Sequence, residues 1–146
     1  MKDKKIEQLS LDVHFFSKEV KDYAKAKFCH QEFNHHQGQL LMVLAENPDF
    51  NQAQLAKKLE ITPATLSVRL KKLEDSGYVR RIENPDDKRN YRLVVSPKGL
   101  ENIAAIKRSF KEMSKAIFSC LDDQEIDQLS KLINKCRNNL KDKKTC

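Results

Sequence analysis

Residues 62–72 hold the side chains with the clearest chemistry in the chain: Thr62, Ala64, Thr65, Val68, Arg69, Lys71 and Lys72. Hydroxyls, small apolar groups and cations at helical spacing are the groups that read nucleic acid. Thr65 can bond a base edge or a phosphate, Val68 can meet a thymine methyl, and Lys72 can neutralise phosphate or reach guanine. Arg69, at the margin of that face, can do either. A helix opening at Thr62 also offers unpaired backbone N–H groups to a phosphate. The competing reading is an ordinary amphipathic helix with a solvated basic side.

Two other groupings could do different chemistry. Cys29 stands beside His30, and a neighbouring imidazole can lower a thiol pKa and make it oxidant-sensitive, although a buried, inert cysteine is the commoner case. His14, His30, His35 and His36 crowd the first quarter of the chain, but no two lie four residues apart, so one helix face cannot pair them on a metal. The four cysteines show neither Cys-x-x-Cys nor zinc-finger spacing. Reduced thiols and no bound metal or cofactor are the expectation.

Composition bounds what can position these groups. The 146 residues suffice for one domain, and 39% hydrophobic content can build a core without disulfides. With 3 Gly, 4 Pro and few β-branched runs, long helices should predominate. No stretch of about 18 apolar residues would span a membrane, and the charged N-terminus lacks the apolar core of a signal peptide. A soluble cytoplasmic protein is expected. The formal charge of +7 favours an anionic partner, and its distribution is more telling. Residues 62–100 hold nine Lys or Arg against five acids, whereas residues 122–130 hold four acids and no base.

The elements follow from spacing and caps. Ile6, Leu9, Val13, Phe16, Val20 and Tyr23 form one apolar stripe along a long helix, and Ile126, Leu129, Ile133, Cys136 and Leu140 form another near the far end. Seams this long need a partner, so the flanking segments 5–34 and 100–141 are expected to make a homodimer, against the alternative that both seams pack within one subunit. Leu40, Leu41, Val43 and Leu44 predict a short buried helix over 37–45. Asn51 with Gln54 reads as a capping box, and Thr62-Pro63 as a hydroxyl cap with proline at the first helical position. Leu66, Leu70 and Leu73 then point inward to about Ser76, and Gly77 supplies a left-handed stop. Residues 78–82 and 91–95 read as paired strands around the turn Asn84-Pro85-Asp86-Asp87. Ser96-Pro97 opens a long helix to about Cys120, and Asp122 with Glu125 caps the last one.

Two short helices, a tight turn and a basic hairpin stand in the order of a winged helix-turn-helix, a mainly α fold with a small β-hairpin wing. The segments Leu55-Ala56-Lys57-Lys58-Leu59, Thr62-Pro63-Ala64-Thr65-Leu66, Leu73-Glu74-Asp75-Ser76-Gly77-Tyr78-Val79 and Asp87-Lys88-Arg89-Asn90-Tyr91-Arg92-Leu93-Val94-Val95-Ser96-Pro97-Lys98-Gly99 resemble the MarR family of bacterial regulators. The resemblance implies a single domain over 1–146, with a DNA-binding lobe at 37–99 and dimerisation helices on both sides. It implies a DNA-binding repressor or activator, a repressor by preference, and the symmetry of the expected homodimer predicts a near-palindromic site in double-stranded DNA. It also implies that Arg89 enters the minor groove from the wing tip beside Lys88, while Asp87 orients it. Narrow minor grooves do attract arginine, and a carboxylate two residues away can hold its guanidinium. The bland alternative for Asp87 and Arg89 is an exposed turn pair.

Members of that family release DNA on binding small molecules or on sensing oxidants or metals, and the resemblance does not choose among these. An effector pocket lined by Phe15, Phe16, Tyr23, Phe28, Phe33 and Phe110 is one expectation, with plain core packing as its competitor. Cys29 is the redox candidate. Two rival functional classes are a thiol-based enzyme or redox protein using Cys29 with a histidine base, and a helical interaction module that never touches DNA. The first lacks a third orienting motif or a glycine-rich loop. The second leaves the charged hairpin tip unexplained.

Overall fold

A computed structural model describes residues 1–143, excluding the side chains at 84 and 87–90. Its elements are α1 (Lys2–Lys27), α2 (His35–Glu46), α3 (Gln52–Leu59), α4 (Pro63–Asp75), β1 (Val79–Asn84), β2 (Asp87–Val95), α5 (Pro97–Phe118) and α6 (Asp123–Lys141). The mainly helical fold with one antiparallel hairpin is the architecture its sequence pattern predicts.

The chain divides into two compact units, Met1–Lys111 and Glu112–Cys146. In the first, the core is built around α2, whose Leu40 and Leu41 are fully enclosed. Leu55 from α3, Leu66, Leu70 and Leu73 from α4, Leu93 from β2 and Ile106 from α5 join the same cluster. Each such buried side chain contributes about 1.5–3 kcal/mol over its exposed state, so this cluster holds the three short helices together. The helices begin where side chains satisfy the first amide groups. Asn51 accepts from the Gln54 amide at 2.8 Å while Gln54 returns the bond to Asn51, also at 2.8 Å. Asn34 and Gln37 do the same at 3.0 and 2.9 Å, which starts α2 at His35, two residues before the apolar pattern alone suggests.

The turn between α3 and α4 passes through Glu60 in the left-handed region, at φ 54°. Gly77 at φ 80° ends α4, and the glycine is needed because any side chain is strained there. Strand β2 starts at Asp87, earlier than its alternating residues indicate, because pairing continues to Asn84↔Asp87 at the tip. The base of the hairpin is pinned. Ser96 donates its backbone N–H to Tyr78 O at 2.9 Å and its hydroxyl to Gly77 O at 2.5 Å, and accepts from the Gly99 amide at 3.1 Å. A Cβ at position 99 would lie 2.5 Å from Tyr78 O, so only glycine fits that close approach.

The second unit holds the end of α5 and α6. Asp122 and Glu125 cap α6 reciprocally, at 2.9 and 3.1 Å. None of its residues is buried. Phe118, Leu121, Ile126, Leu129 and Ile133 line an open apolar groove of about 310 Å³. Among the described residues no helix is long and apolar enough to cross a membrane.

Candidate nucleic-acid interface

Helix α4 is positioned by its own leucines. Leu66, Leu70 and Leu73 are 1–2% exposed, which turns the opposite side of the helix outward. Thr62 caps it, accepting from the Thr65 amide at 3.2 Å and donating its hydroxyl to Thr65 Oγ1 at 2.9 Å. Thr65 therefore keeps its own hydroxyl proton for another acceptor. Ala64, Val68, Lys71 and Lys72 are exposed, and Thr65 and Arg69 are half-buried. Val68, at 58%, is an apolar side chain held in solvent on a helix that buries three leucines.

Thr65, Val68, Arg69 and Lys72 lie three, four and seven residues apart and so share one face. With Asn34, His36 and Gln37 from the start of α2 they line a groove of about 300 Å³. Ala64 and Lys71 lie beside it on the same outward side. Among the described residues neither Arg69 nor Lys72 is held in an ion pair. The α2 contribution is one that reading the α4 segment by itself missed, although the Asn34-x-x-Gln37 pattern was a usable signal for a helix start there.

The hairpin is braced against this helix. Arg81 Nε donates to both oxygens of Glu74 at 2.7 and 2.8 Å, and its guanidinium lies 4.1 Å from the centre of the Tyr91 ring. Gln52 donates to the Tyr91 hydroxyl at 2.5 Å, tying β2 to α3. These pairs join residues far apart in the chain, so no local signal marked them. The side chains of Asp87, Lys88 and Arg89 lie outside the described residues. Their backbone opens β2, beside the two-residue tip Pro85-Asp86.

The six aromatic residues expected to line one pocket do not come together. Phe28 and Phe33 line a cavity of about 800 Å³ with Cys29, Glu32, His35, His36 and Lys72 among its walls. Phe110 packs beside Phe28, ring centres 5.2 Å apart, half-buried against the core. Phe15, Phe16 and Tyr23 are 41–55% exposed on α1, which buries only Ala24, because a helix with so few contacts keeps its apolar stripe outside. Cys29 is an exposed free thiol on the cavity wall, just past the end of α1. Among the described residues no three His, Cys, Asp or Glu side chains gather as a metal site.

One polar cluster fastens the α1–α2 connection to the hairpin base. The Tyr78 hydroxyl donates to Glu32, Lys98 Nζ stands 3.3 Å from the same carboxylate, and Lys98 also donates to Ser76 O at 2.9 Å. Burial and the Glu32 carboxylate push the Tyr78 phenol up to about 12. The hydrogen bond from Tyr78, then Lys98, holds Glu32 below the usual carboxylate range.

Comparison with known proteins agrees with this geometry. The MarR family model matches residues 33–91, the segment from α2 into β2. The chain is 27% identical over 99 residues to the HTH-type transcriptional regulator SarZ of Staphylococcus haemolyticus, covering 68% of this chain and 64% of that one. It spans about three fifths of the length of the curated relatives it matches. Among solved structures it is similar to S. aureus MepR in complex with DNA, at TM-score 0.82 and 25% identity, covering 90% of this chain and 97% of that one. A MarR protein from Peptoclostridium difficile gives TM-score 0.80 at 26% identity, covering 92% and 88%. The MarR family model thus lies across the helix-turn-helix and wing, and the likeness in fold to these solved structures extends beyond it on both sides.

Proposed function

We propose that the chain is a transcriptional regulator that binds double-stranded DNA as a homodimer and represses by occupying its operator. The observation that carries the reading is the outward face of α4, where Thr65, Val68, Arg69 and Lys72 stand together opposite a fully buried leucine stripe. In this reading α4 enters the major groove, and the wing places Arg89 in the minor groove with Asp87 and Lys88 beside it. MepR, similar over 90% of the chain, was solved bound to DNA, which supports the same partner here.

The homodimer reading rests on apolar faces that each unit leaves open. Ile6, Leu9, Val13 and Phe16 on α1 are 46–59% exposed, and Ile126, Leu129, Leu132 and Ile133 on α6 are 36–51% exposed. Contiguous stripes of this kind mark protein contacts, and a second copy supplies self-complementary ones. An effector is accommodated by the 800 Å³ cavity, which shares His36 and Lys72 with the reading face, so a small molecule bound there would touch residues that touch DNA.

The test is selection of bound duplexes from a random pool at fixed salt, because phosphate contacts make affinity salt-dependent. Enrichment of a near-palindrome with half-sites about one helical turn apart supports the reading. Recovery of no sequence preference at any salt opposes it.

A further inference from the structure

The groove between the first turn of α2 and the outward face of α4 is lined by Asn34, His36, Gln37, Thr65, Arg69 and Lys72, with Val68 as its apolar wall. Two fixed cations, an imidazole, two amides and a hydroxyl line it, and no carboxylate does. The chemistry complementary to that set is an oxyanion. The backbone amide of Gln37 is already taken by Asn34, so recognition falls to side chains. The groove also opens on the face of α4 that the DNA-binding reading turns toward the duplex.

We propose that His36 is a DNA-contacting residue, and that this groove seats one backbone phosphodiester between His36, Arg69 and Lys72. The inference rests on the DNA-binding reading above and adds a contact outside α4 and the wing. It also has a thermodynamic consequence. His36 stacks against His35, ring centres 3.9 Å apart. Burial, then His35, Arg69 and Lys21, hold the His36 imidazole below its ordinary pKa of 6.5, and burial with Arg69 does the same to His35. The charged groups around the pair are Arg69 and Lys72 from α4, Lys21, Asp22 and Lys25 from α1, and Glu32 between the helices, with the Cys29 thiol on the same cavity wall. Cations outnumber carboxylates there, so the free protein keeps His36 neutral near pH 7. A phosphodiester in the groove reverses that balance, raises the imidazole pKa and draws a proton from solvent onto the ring. Linkage then requires DNA affinity to rise as pH falls through the bound-state pKa of His36.

The experiment titrates a selected duplex with the full-length protein from pH 8 to 5.5 at constant ionic strength, for wild type, His36→Gln and His36→Lys. Expected for wild type is an affinity gain of about three- to tenfold on acidification. The salt-dependence slope should also steepen by about 0.9, the signature of one added phosphate contact. His36→Gln should lose both changes, its affinity and salt slope staying flat from pH 8 to 5.5, and His36→Lys should keep the steeper slope at every pH. Histidine resonances of the wild type, followed with and without duplex, give a second readout that needs no variant to fold: the His36 pKa should rise on binding. The same titration with inorganic phosphate in place of the duplex separates a general anion site, where the rise would be equal, from a contact that DNA geometry creates. An equal rise, an unchanged His36 pKa, or the same pH response in His36→Gln overturns the proposal while leaving the DNA-binding reading intact. A protein that binds no duplex at any pH removes both.

Discussion

Helices α4 and α6 carry apolar residues at the same three- and four-residue spacings, and the molecule treats them in opposite ways. On α4 the stripe Leu66, Leu70 and Leu73 is sealed against α2 and α3 at 1–2% exposure. On α6 the stripe Ile126, Leu129 and Ile133 stays at 36–46%, and no residue of the helix is buried. One amphipathic pattern thus has its partner within the lobe, while the other stays exposed. Apolar spacing specifies that a face will be covered, and not what covers it.

Four measurements break or sharpen this contrast. Leu70→Ala should cost about 2–5 kcal/mol of folding stability in a denaturant titration, since it opens a cavity in the centre of the lobe. The α6 counterpart, Leu129→Asp, should leave the lobe folded by circular dichroism but weaken self-association by about 3 kcal/mol, more than a hundredfold in dissociation constant, visible by sedimentation. An unchanged sedimentation coefficient would return the α6 stripe to ordinary surface. Arg89→Ala should spare both folding and assembly and lower specific DNA affinity by about 1–3 kcal/mol; equal binding by the variant and wild type in an anisotropy titration would remove the wing tip from the interface. The smallest effect concerns the hairpin base. The Tyr78 phenol is raised to about 12 from an unfolded value near 10, so its contribution to stability is complete below pH 10 and is lost as pH rises toward 12. Ultraviolet titration should show one late-ionising phenol, absent in Tyr78→Phe.

Much of the fold was legible because its signals are local. The capping boxes at Asn51 and Asp122, the Thr62-Pro63 start and the Gly77 stop each lie within three residues of what they control, and all four stand where the spacing puts them. The left-handed Glu60 was not legible, since glutamate rarely adopts that conformation; it closes the end of α3, where the Ile61 N–H bonds back to Ala56 O at 3.0 Å. Nor were the braces Arg81–Glu74 and Gln52–Tyr91, which depend on where β1 and β2 land. The aromatic residues misled for a related reason. Phe28 and Phe33 reach the core from the bend after α1, whereas Phe15 and Phe16, of the same type, sit on a helix with little to pack against. The outward face of α4 was readable from the leucines behind it, and the α2 residues that complete the groove became apparent only with the two helices side by side.

The joint formed by Gly77, Tyr78, Ser96 and Gly99 bears on how such a protein can change. Both ends of the hairpin are stapled there, by Ser96 to Gly77 and Tyr78 and by the Val79↔Val95 register, before the strands reach the tip. Lengthening a loop whose ends are already held adds only a logarithmic entropy cost, about 0.6 kcal/mol per doubling. The wing is therefore an exchangeable cassette: its tip can be extended, shortened or swapped for another hairpin without altering where α4 stops or where α5 resumes, so the tip can vary while the lobe that carries it stays the same.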